Sequence, residues 1–310
     1  EFTYKGMAPD VPSEAVAAST YDALTDLNVN AITVSPKAIL PGGADSIEYD
    51  RSGFAWGETT TGCVQQTIDA KSKGITVMMI PVVEFPPAVS SETFDAGDEW
   101  DDFNASYMKF ILHFAEVAES EGVDVFSVGA NMENYLKEQE AFWYQLIDSV
   151  KSRYSGTLTY SANWKNYDDV PFWTDLDFIG VEAYWSVSLS ETPDAGLVEQ
   201  FWNTSVIPDL SGFSVSAQKP VAFTSLGYRS IDFSGEKPWD ADVSATANAT
   251  AQSNCLEGFF DAFRNKDWFV GAFIGGWTYD ESNSGLTDDS YSPQGKPAES
   301  LIQEVYSDSL

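Results

Sequence analysis

Histidine and cysteine are nearly absent from this sequence. Its 310 residues include one histidine, His113, and two cysteines, Cys63 and Cys255. A zinc site or a Ser–His–Asp triad needs such side chains in a close group, so the sequence predicts no metal centre and no serine triad. No glycine-rich phosphate loop follows any predicted strand, and we expect no cofactor. We place His113 inside a helix.

Basic residues are scarce as well. Lysine and arginine number 16 against 48 aspartates and glutamates, so the formal net charge is −32. A surface this acidic repels nucleic acid and anionic membranes, and we expect neither as a partner. No apolar run reaches the about 20 residues that cross a bilayer. Salt screening makes such a charge tolerable, which favours a secreted, extracellular protein.

Two surface features bear on the same expectation. The sequons at Asn104, Asn203 and Asn248 predict N-glycosylation of a secreted protein, and unmodified surface asparagines are the open alternative. The acidic run Asp98–Asp102 is typical of a solvated face, with calcium binding as its alternative. Neither feature identifies a ligand by itself.

Apolar, β-rich segments alternate with amphipathic segments along the whole chain. Their nearly continuous hydrophobic character is typical of parallel strands that are buried on both faces. Eight such repeats in about 300 residues predict one α/β domain, a single (β/α)8 TIM barrel over residues 1–310, with a doubly wound open sheet as the alternative. The predicted strands are Thr3–Met7, Ala31–Ser35, Thr76–Val83, Asp124–Gly129, Thr157–Ser161, Phe178–Tyr184, Pro220–Thr224 and Phe269–Ile274.

The intervening segments predict the helices. Cys63 and Cys255 fall on the second and seventh of them, too far apart round the ring for the about 7 Å between Cα atoms that a disulfide needs. We therefore predict two buried thiols. The predicted helices are Ser13–Leu27, Gly62–Lys73, Ala105–Glu121, Glu138–Arg153, a weak one near Asp169–Thr174, Asp194–Pro208, Ala247–Arg264 and Pro297–Tyr306.

Several stretches carry a family signal. They are GVDVFSVG (Gly122–Gly129), YSGTLTYSANW (Tyr154–Trp164), VPFWTDLDFIGVEAYW (Val170–Trp185), KPVAFTSLGYRS (Lys219–Ser230) and YSPQGKPAES (Tyr291–Ser300). On these stretches the sequence resembles glycoside hydrolase family 113, the barrel endo-β-1,4-mannanases and their relatives. The resemblance implies a barrel that cleaves a glycan with two glutamates.

The two positions that the resemblance assigns to catalysis hold other residues. The family places a threonine-glutamate pair just after strand four, where this chain has Asn131. The nucleophile position at the end of strand seven is Ser225. Retaining glycosidases need two carboxyl groups, one as nucleophile and one as acid/base. An amide does not titrate, and an alcohol attacks poorly without a base. The sequence therefore predicts a barrel that has lost its inherited reaction.

Three other glutamates keep an active enzyme open as an alternative. Glu84 follows the third strand, Glu133 lies two residues beyond Asn131, and Glu182 is near the end of the sixth strand. A buried, closely spaced pair among them would have split pKa values and could serve as acid and base. A solvated loop position or a structural carboxylate is the alternative for each of the three.

Aromatic and amide side chains near strand ends predict a glycan-binding surface. Pockets for small ligands combine aromatic walls with a few placed polar groups, although such rings also pack cores. The acidic surface favours a neutral oligo- or polysaccharide as partner. The predicted ligand-binding residues are Asn131, Asn163, Trp164, Glu182, Tyr184, Trp185, Tyr228 and Trp277. The sequence thus favours a secreted, catalytically degenerate barrel with a recognition or structural role, and an active glycoside hydrolase is the alternative.

Overall fold

Eight parallel strands close into a barrel in the computed structural model, which describes residues 2–307. The strands of the protein are β1 Tyr4–Pro9, β2 Ala31–Val34, β3 Lys37–Ile39, β4 Glu48–Tyr49, β5 Thr76–Met79, β6 Val82–Glu84, β7 Val125–Ala130, β8 Thr157–Asn163, β9 Ile179–Glu182, β10 Val221–Leu226 and β11 Phe269–Trp277. The spatial order in the barrel is β1-β11-β10-β9-β8-β7-β5-β2, so the predicted TIM barrel is confirmed and the open sheet is excluded. The strands β4, β3 and β6 form a separate small sheet in that order.

Helices follow most barrel strands. They are α1 Asp22–Asp26, α2 Thr60–Ser72, α3 Trp100–Glu121, α4 Glu133–Glu138, α5 Glu140–Lys151, α6 Ala195–Phe201, α7 Ile207–Ala217, α8 Ala249–Phe263 and α9 Pro297–Ser307. Gly122 ends α3 in the left-handed conformation, with φ of 68°, as a C-terminal glycine does. None of the helices in the described range is both long and apolar enough to cross a membrane.

The backbone contacts divide the chain into two compact units. The first unit contains β1, Ser19–Ile32 and everything after Gly180, and the second contains Val11–Ala18 and Thr33–Gly180. Each unit has an aromatic core of its own. In the first, the Phe223 ring lies 4.8 Å from that of Phe269. In the second, the Tyr107 ring lies 5.4 Å from that of Tyr135. One domain over residues 1–310 stays a prediction.

The predicted first helix, Ser13–Leu27, is mostly wrong. Only the 3-10 turn Ala18–Tyr21 and the short α1 are helical. The backbone oxygens of Pro12 and Ser13 instead accept hydrogen bonds from Gly57 N (2.9 Å) and Trp56 N (3.1 Å). These bonds hold the segment against the loop before α2 in a non-helical path, because tertiary contacts outweigh helix propensity there.

Proline explains two further differences. The predicted strand Thr76–Val83 is two strands, β5 and β6, because Pro81 has no N–H with which to continue the ladder. The predicted helix Asp194–Pro208 does not stop at Pro208, which lies in the first turn of α7, where proline is tolerated. A π-helical turn, Trp202–Val206, joins α6 to α7. The weak helix near Asp169–Thr174 is replaced by the 3-10 turns Tyr167–Asp169 and Trp173–Asp175.

The two cysteines are free and buried, as predicted. Cys63 lies in α2, where its thiol donates to Gly57 O at 3.3 Å, and Cys255 lies in α8. Burial raises the pKa of both thiols far above its ordinary value. A buried thiol of this kind is a packing group and not a nucleophile.

Gly271 allows β11 to approach β1 closely, and its substitution has a large expected effect. Its φ is 139°, and a Cβ at this position would lie 2.1 Å from Tyr4 O, its partner across the ladder. We expect Gly271→Ala to lower the free energy of unfolding by about 3 kcal/mol, the upper range for single substitutions. Gly212→Ala, in the exposed interior of α7 with no atom within 4 Å of its Cβ, should instead raise it by up to about 1 kcal/mol. Denaturant unfolding of both variants measures the difference, and equal effects would contradict this account.

Candidate functional site

Ser225 is hydrogen-bonded to Tyr184 within the first unit. Ser225 is near the end of β10, and Tyr184 follows β9. The two hydroxyl groups form a short hydrogen bond, and Ala183 N donates to the backbone oxygen of Ser225 at 2.7 Å. The side chain at the position that the resemblance assigns to the nucleophile therefore points to the tyrosine that follows the neighbouring strand. No proton acceptor of the strength of a carboxylate takes part in this bond.

Glu182 and Trp185 flank this pair along the chain. Glu182 is the last residue of β9 and is half-buried. Burial raises the pKa of Tyr184, the hydrogen bond to Ser225 lowers it, and the negative charge of Glu182 adds to the rise. The half-buried Trp185 ring lies 5.7 Å from that of Trp202 and 6.0 Å from that of Phe223. One part of Trp185 thus packs on the core while the rest is accessible.

Two of the predicted aromatic contacts are buried. Tyr228 is 1% exposed and Trp277 is 4% exposed. The Tyr228 hydroxyl makes no hydrogen bond of good geometry, although Trp202 and Cys255 lie near it, and burial raises its pKa well above the ordinary value. The Trp277 backbone oxygen accepts from Asp10 N at 2.7 Å. Burial of this degree favours packing roles for both rings over contact with a ligand.

Asn131 and Asn163 end neighbouring strands of the second unit. Asn131 follows β7 with φ of 49°, a left-handed conformation that asparagine tolerates better than most residues. Its backbone N donates to Ser161 O at 3.0 Å. Asn163 ends β8, is 7% exposed, and its Oδ1 accepts from Lys165 N at 3.0 Å. The half-buried Trp164 ring lies 5.2 Å from the Lys165 ammonium group.

Glu133 is a buried carboxyl group in the same unit. It begins α4, is 7% exposed, and its Oε2 has no hydrogen-bond partner. Burial raises the pKa of Glu133, the nearby charge of Glu92 adds to the rise, and a hydrogen bond with Asn166 lowers it. A buried carboxyl with a raised pKa and an open oxygen can act as a general acid. Sequence reasoning missed Asn166 and Glu92, because their approach to Glu133 depends on loops.

Glu84 lies elsewhere than predicted. The sequence predicts Glu84 directly after a barrel strand, but it ends β6 in the small sheet. Its side chain is 61% exposed and pairs with Lys37 at 3.1 Å, which also contacts Glu58 at 2.7 Å. The chain leaves the barrel at Pro81, so the following residues do not continue along the barrel wall. This solvent-exposed ion pair favours a structural role for Glu84 at the protein surface.

His113 and the acidic surface show no catalytic arrangement. His113 Nε2 lies 2.7 Å from Thr60 Oγ1, which donates to Asp50 at 2.7 Å. The threonine stands between the carboxylate and the imidazole, whereas a triad needs the imidazole in the middle. One group of three exposed carboxylates, at Asp45, Glu99 and Asp102, has oxygens within 4.8 Å of one another. Exposed acidic groups of this kind are common without an ion.

The three sequon asparagines lie in or at the ends of helices, with their side chains hydrogen-bonded. Asn104 lies in α3. Its Nδ2 donates to Gln139 Oε1 at 3.0 Å, and its Oδ1 accepts from the Tyr135 hydroxyl at 2.7 Å. Asn203 lies in the π-helical turn. Asn248 caps α8, and its Nδ2 donates to Thr192 and Asp232 at 2.8 Å each. Glycosylation of these residues stays a prediction, and a glycan at Asn248 would replace one of those bonds.

The stretch YSPQGKPAES forms a buried clasp in the first unit. Lys296, whose side chain is 0% exposed, donates to Asp288 Oδ2 (2.5 Å), Ser230 Oγ (2.8 Å) and Ser292 O (2.6 Å). Gln294 accepts from Thr278 N at 2.7 Å and donates to Thr278 O at 3.1 Å. The clasp joins the loop after β11 to the loop after β10. The sequence of this stretch indicates the family but not these buried contacts.

The comparisons with known proteins agree with this architecture. The model of Glycoside Hydrolase Family 113 matches residues 2–296. The chain belongs to glycoside hydrolase family 113. A family 113 β-mannanase from Alicyclobacillus acidocaldarius has a similar structure, with a TM-score of 0.84 at 23% sequence identity over 99% of this chain and 97% of that chain. A second family 113 β-1,4-mannanase gives 0.80 at 23% identity over 99% of both chains.

More distant structures share the fold only. A β-glucuronidase from Faecalibacterium prausnitzii has a TM-score of 0.63 at 13% identity, over 98% of this chain and 49% of that chain. The comparison with curated proteins finds no match. Family 113 membership therefore comes from the family model, and the structural likenesses show its barrel. The residues at the strand ends bear on the activity of this particular member.

Proposed function

We propose that this family 113 barrel binds a neutral glycan without hydrolysing it. The observation that carries the proposal is the pair of side chains at the catalytic strand ends, Asn131 after β7 and Ser225 in β10. Double displacement at a sugar needs two carboxyl groups, and neither of these residues has one. Because Ser225 bonds to Tyr184 and not to a base, its hydroxyl has no means of activation in this contact.

The remaining groups suit recognition of a sugar. Glu182 is a half-buried hydrogen-bond acceptor, and Trp164 and Trp185 each leave part of a ring accessible. Pockets that combine aromatic surface with a few polar groups are typical of small-ligand sites. Mannan is the first candidate ligand, since the solved family 113 relatives are named β-mannanases. The net charge of −32 supports a neutral glycan over an anionic one, an extracellular location, and no nucleic-acid or membrane partner.

A second function has one specific observation in its favour. Glu133 is a buried carboxyl with a raised pKa and an oxygen without a partner, as a general acid requires. In this alternative the protein is an active glycoside hydrolase that uses relocated carboxylates, with Glu133 as acid and Glu182 as a further carboxylate. Glu84 is the weakest of the three because it is exposed and paired with Lys37.

Incubation with soluble mannan, glucan and galactan tests both functions. We expect the unaltered protein to bind mannan in a calorimetric titration and to release no reducing ends. Reducing ends released by the unaltered protein would overturn the binding-only function. If Glu133→Gln then abolished that release while retaining the fold, the second function would replace the first. Tyr144→Ala, at an exposed position on α5, is the matched control and should change neither readout.

A further inference from the structure

The loop between β10 and α8 contains a cavity that has no assigned role. Its volume is ≈ 360 Å³, and its walls come from the chain between Arg229 and Thr246 in the first unit. Sites for small ligands have volumes of about 300–1,000 Å³. The cavity is separate from the Ser225–Tyr184 hydrogen bond, since neither residue lines it. It is therefore a place in the first unit where a small ligand fits.

The cavity is braced by a buried arginine. Arg229 is 9% exposed and donates from Nη1 to the backbone oxygens of Ala241 (3.0 Å) and Val243 (2.5 Å). Its Nε donates to Asp289 O at 3.1 Å, and its Nη2 pairs with the Asp289 carboxylate at 3.2 Å. These bonds hold the backbone of Ala241 and Val243 in place, and they occupy the guanidinium group of Arg229. A cavity with walls fixed in this way is formed before any ligand arrives.

Phe233 places an accessible aromatic ring on the wall of the cavity. It is 44% exposed, and its backbone has φ of 59°. A bulky residue in the left-handed region is strained, and such strain clusters at functional sites. The conformation is held by Phe233 N donating to Glu191 O (2.8 Å) and by Glu236 N donating to Phe233 O (2.9 Å). The loop thus accepts backbone strain at a residue that lines the cavity.

The polar groups of the cavity indicate what it binds. Asp232, Glu236 and Asp240 line it together with Lys237. Carboxylates accept hydrogen bonds from hydroxyl groups and repel anions. They do not gather round a cation, because within the described residues the only close group of three or more candidate ligands is Asp45, Glu99 and Asp102. An aromatic face beside hydroxyl acceptors matches the two surfaces of a neutral sugar.

Tyr291 connects this cavity to the end of β10. Its hydroxyl donates to Pro238 O at 2.6 Å, and Pro238 lines the cavity. Its ring lies against Gly227, where a Cβ would come 3.0 Å from Cδ1, and Gly227 is two residues beyond Ser225. One ring thus touches both the cavity wall and the turn that follows the Ser225 strand. The cavity wall and the turn after β10 therefore have one side chain, Tyr291, as a common neighbour.

We infer that the β10–α8 cavity is a second saccharide-binding site, which takes a neighbouring part of the same neutral glycan chain. The inference rests on the proposed function for the identity of the glycan. A site of this kind would extend the length of chain that the protein recognises. The cavity would therefore contribute to the binding of long oligosaccharides. Short ones would bind only near Ser225, and their affinity would not depend on the cavity.

Calorimetric titration with mannohexaose and mannobiose tests the inference. We expect Phe233→Ala to weaken mannohexaose binding about tenfold and to leave mannobiose binding unchanged, because only the longer sugar reaches the cavity. Phe233→Tyr keeps the ring and should bind mannohexaose as the unaltered protein does. Tyr144→Ala removes an exposed ring elsewhere and should change neither affinity. Glu236→Ala probes the same cavity if Phe233→Ala does not fold.

The outcomes separate the cavity from the proposed function. The Ser225→Phe variant fills the space at the end of β10 and tests whether the glycan binds near Ser225. One outcome is that Ser225→Phe loses mannohexaose binding while Phe233→Ala and Glu236→Ala bind it unchanged. This outcome contradicts a saccharide site in the cavity and leaves the proposed function in place. Loss in the cavity variants with full retention in Ser225→Phe supports the cavity and contradicts binding at Ser225. An unaltered protein that binds neither sugar overturns both.

Discussion

The double variant Asn131→Glu, Ser225→Glu is expected to hydrolyse mannan. The two substitutions place carboxyl groups at the ends of β7 and β10, the positions that the family resemblance assigns to acid/base and nucleophile. At residue 225 the new carboxylate can accept the hydrogen bond that Tyr184 now shares with the serine hydroxyl. Since general acid–base catalysis alone contributes about 10²–10⁴-fold, we expect reducing ends to be released at a rate at least ~100-fold above the background without protein, which the parent protein does not exceed.

The single variants show whether both carboxyl groups are needed. Retaining hydrolysis divides its two steps between a nucleophile and an acid/base, so Asn131→Glu and Ser225→Glu separately should release little sugar. The Asn131→Gln, Ser225→Gln protein has the same added bulk without acids and is the matched control. An inactive double variant that still binds mannan would show that the chain has diverged at more than these two positions.

Lys296→Met is expected to destabilise the protein strongly. The ammonium group is fully buried and holds Asp288, Ser230 and Ser292 together. Removing one partner of a buried ion pair leaves an uncompensated charge and costs about 3–5 kcal/mol. We therefore expect the free energy of unfolding in urea to fall by that amount. Lys151→Met is the control, because its pair with Asp175 at 3.7 Å is exposed and such pairs contribute about 0–1 kcal/mol.

The same pair has a pH dependence of known sign. Burial opposes the ionisation of Asp288, but hydrogen bonds from Lys296 and Ser290 hold its pKa below the ordinary aspartate value of 3.8. A carboxyl with a lowered folded pKa stabilises the fold above its unfolded pKa and loses that contribution as the pH falls through the folded pKa. The stability difference between the parent and Lys296→Met should therefore be full at neutral pH and shrink as acid protonates Asp288, first in the variant, which lacks the Lys296 bond, and then in the parent. A difference that stayed constant in acid would show that Asp288 is not the partner that matters.

The site was only partly predictable from the sequence. Asn131, Asn163 and Ser225 were placed at strand ends because the apolar runs before them are long and regular, and each lies there. Glu84 and Tyr228 were placed by the same reasoning, yet one lies in a surface ion pair and the other is 1% exposed. The direction of a side chain that follows a strand depends on how the next loop turns. That turn is decided by partners distant in the sequence.

Regular features of the chain were determined by its sequence alone. Eight apolar segments separated by amphipathic ones are compatible with few folds, and a parallel barrel buries all of them with short connections. The amide at Asn131, the hydroxyl at Ser225 and the net charge of −32 are also read directly from the sequence. The burial of Glu133, the Lys296 clasp and the cavity beside Phe233 were decided only by the tertiary structure. Each of them depends on contacts between segments that are distant along the chain, and periodicity carries no information about such contacts.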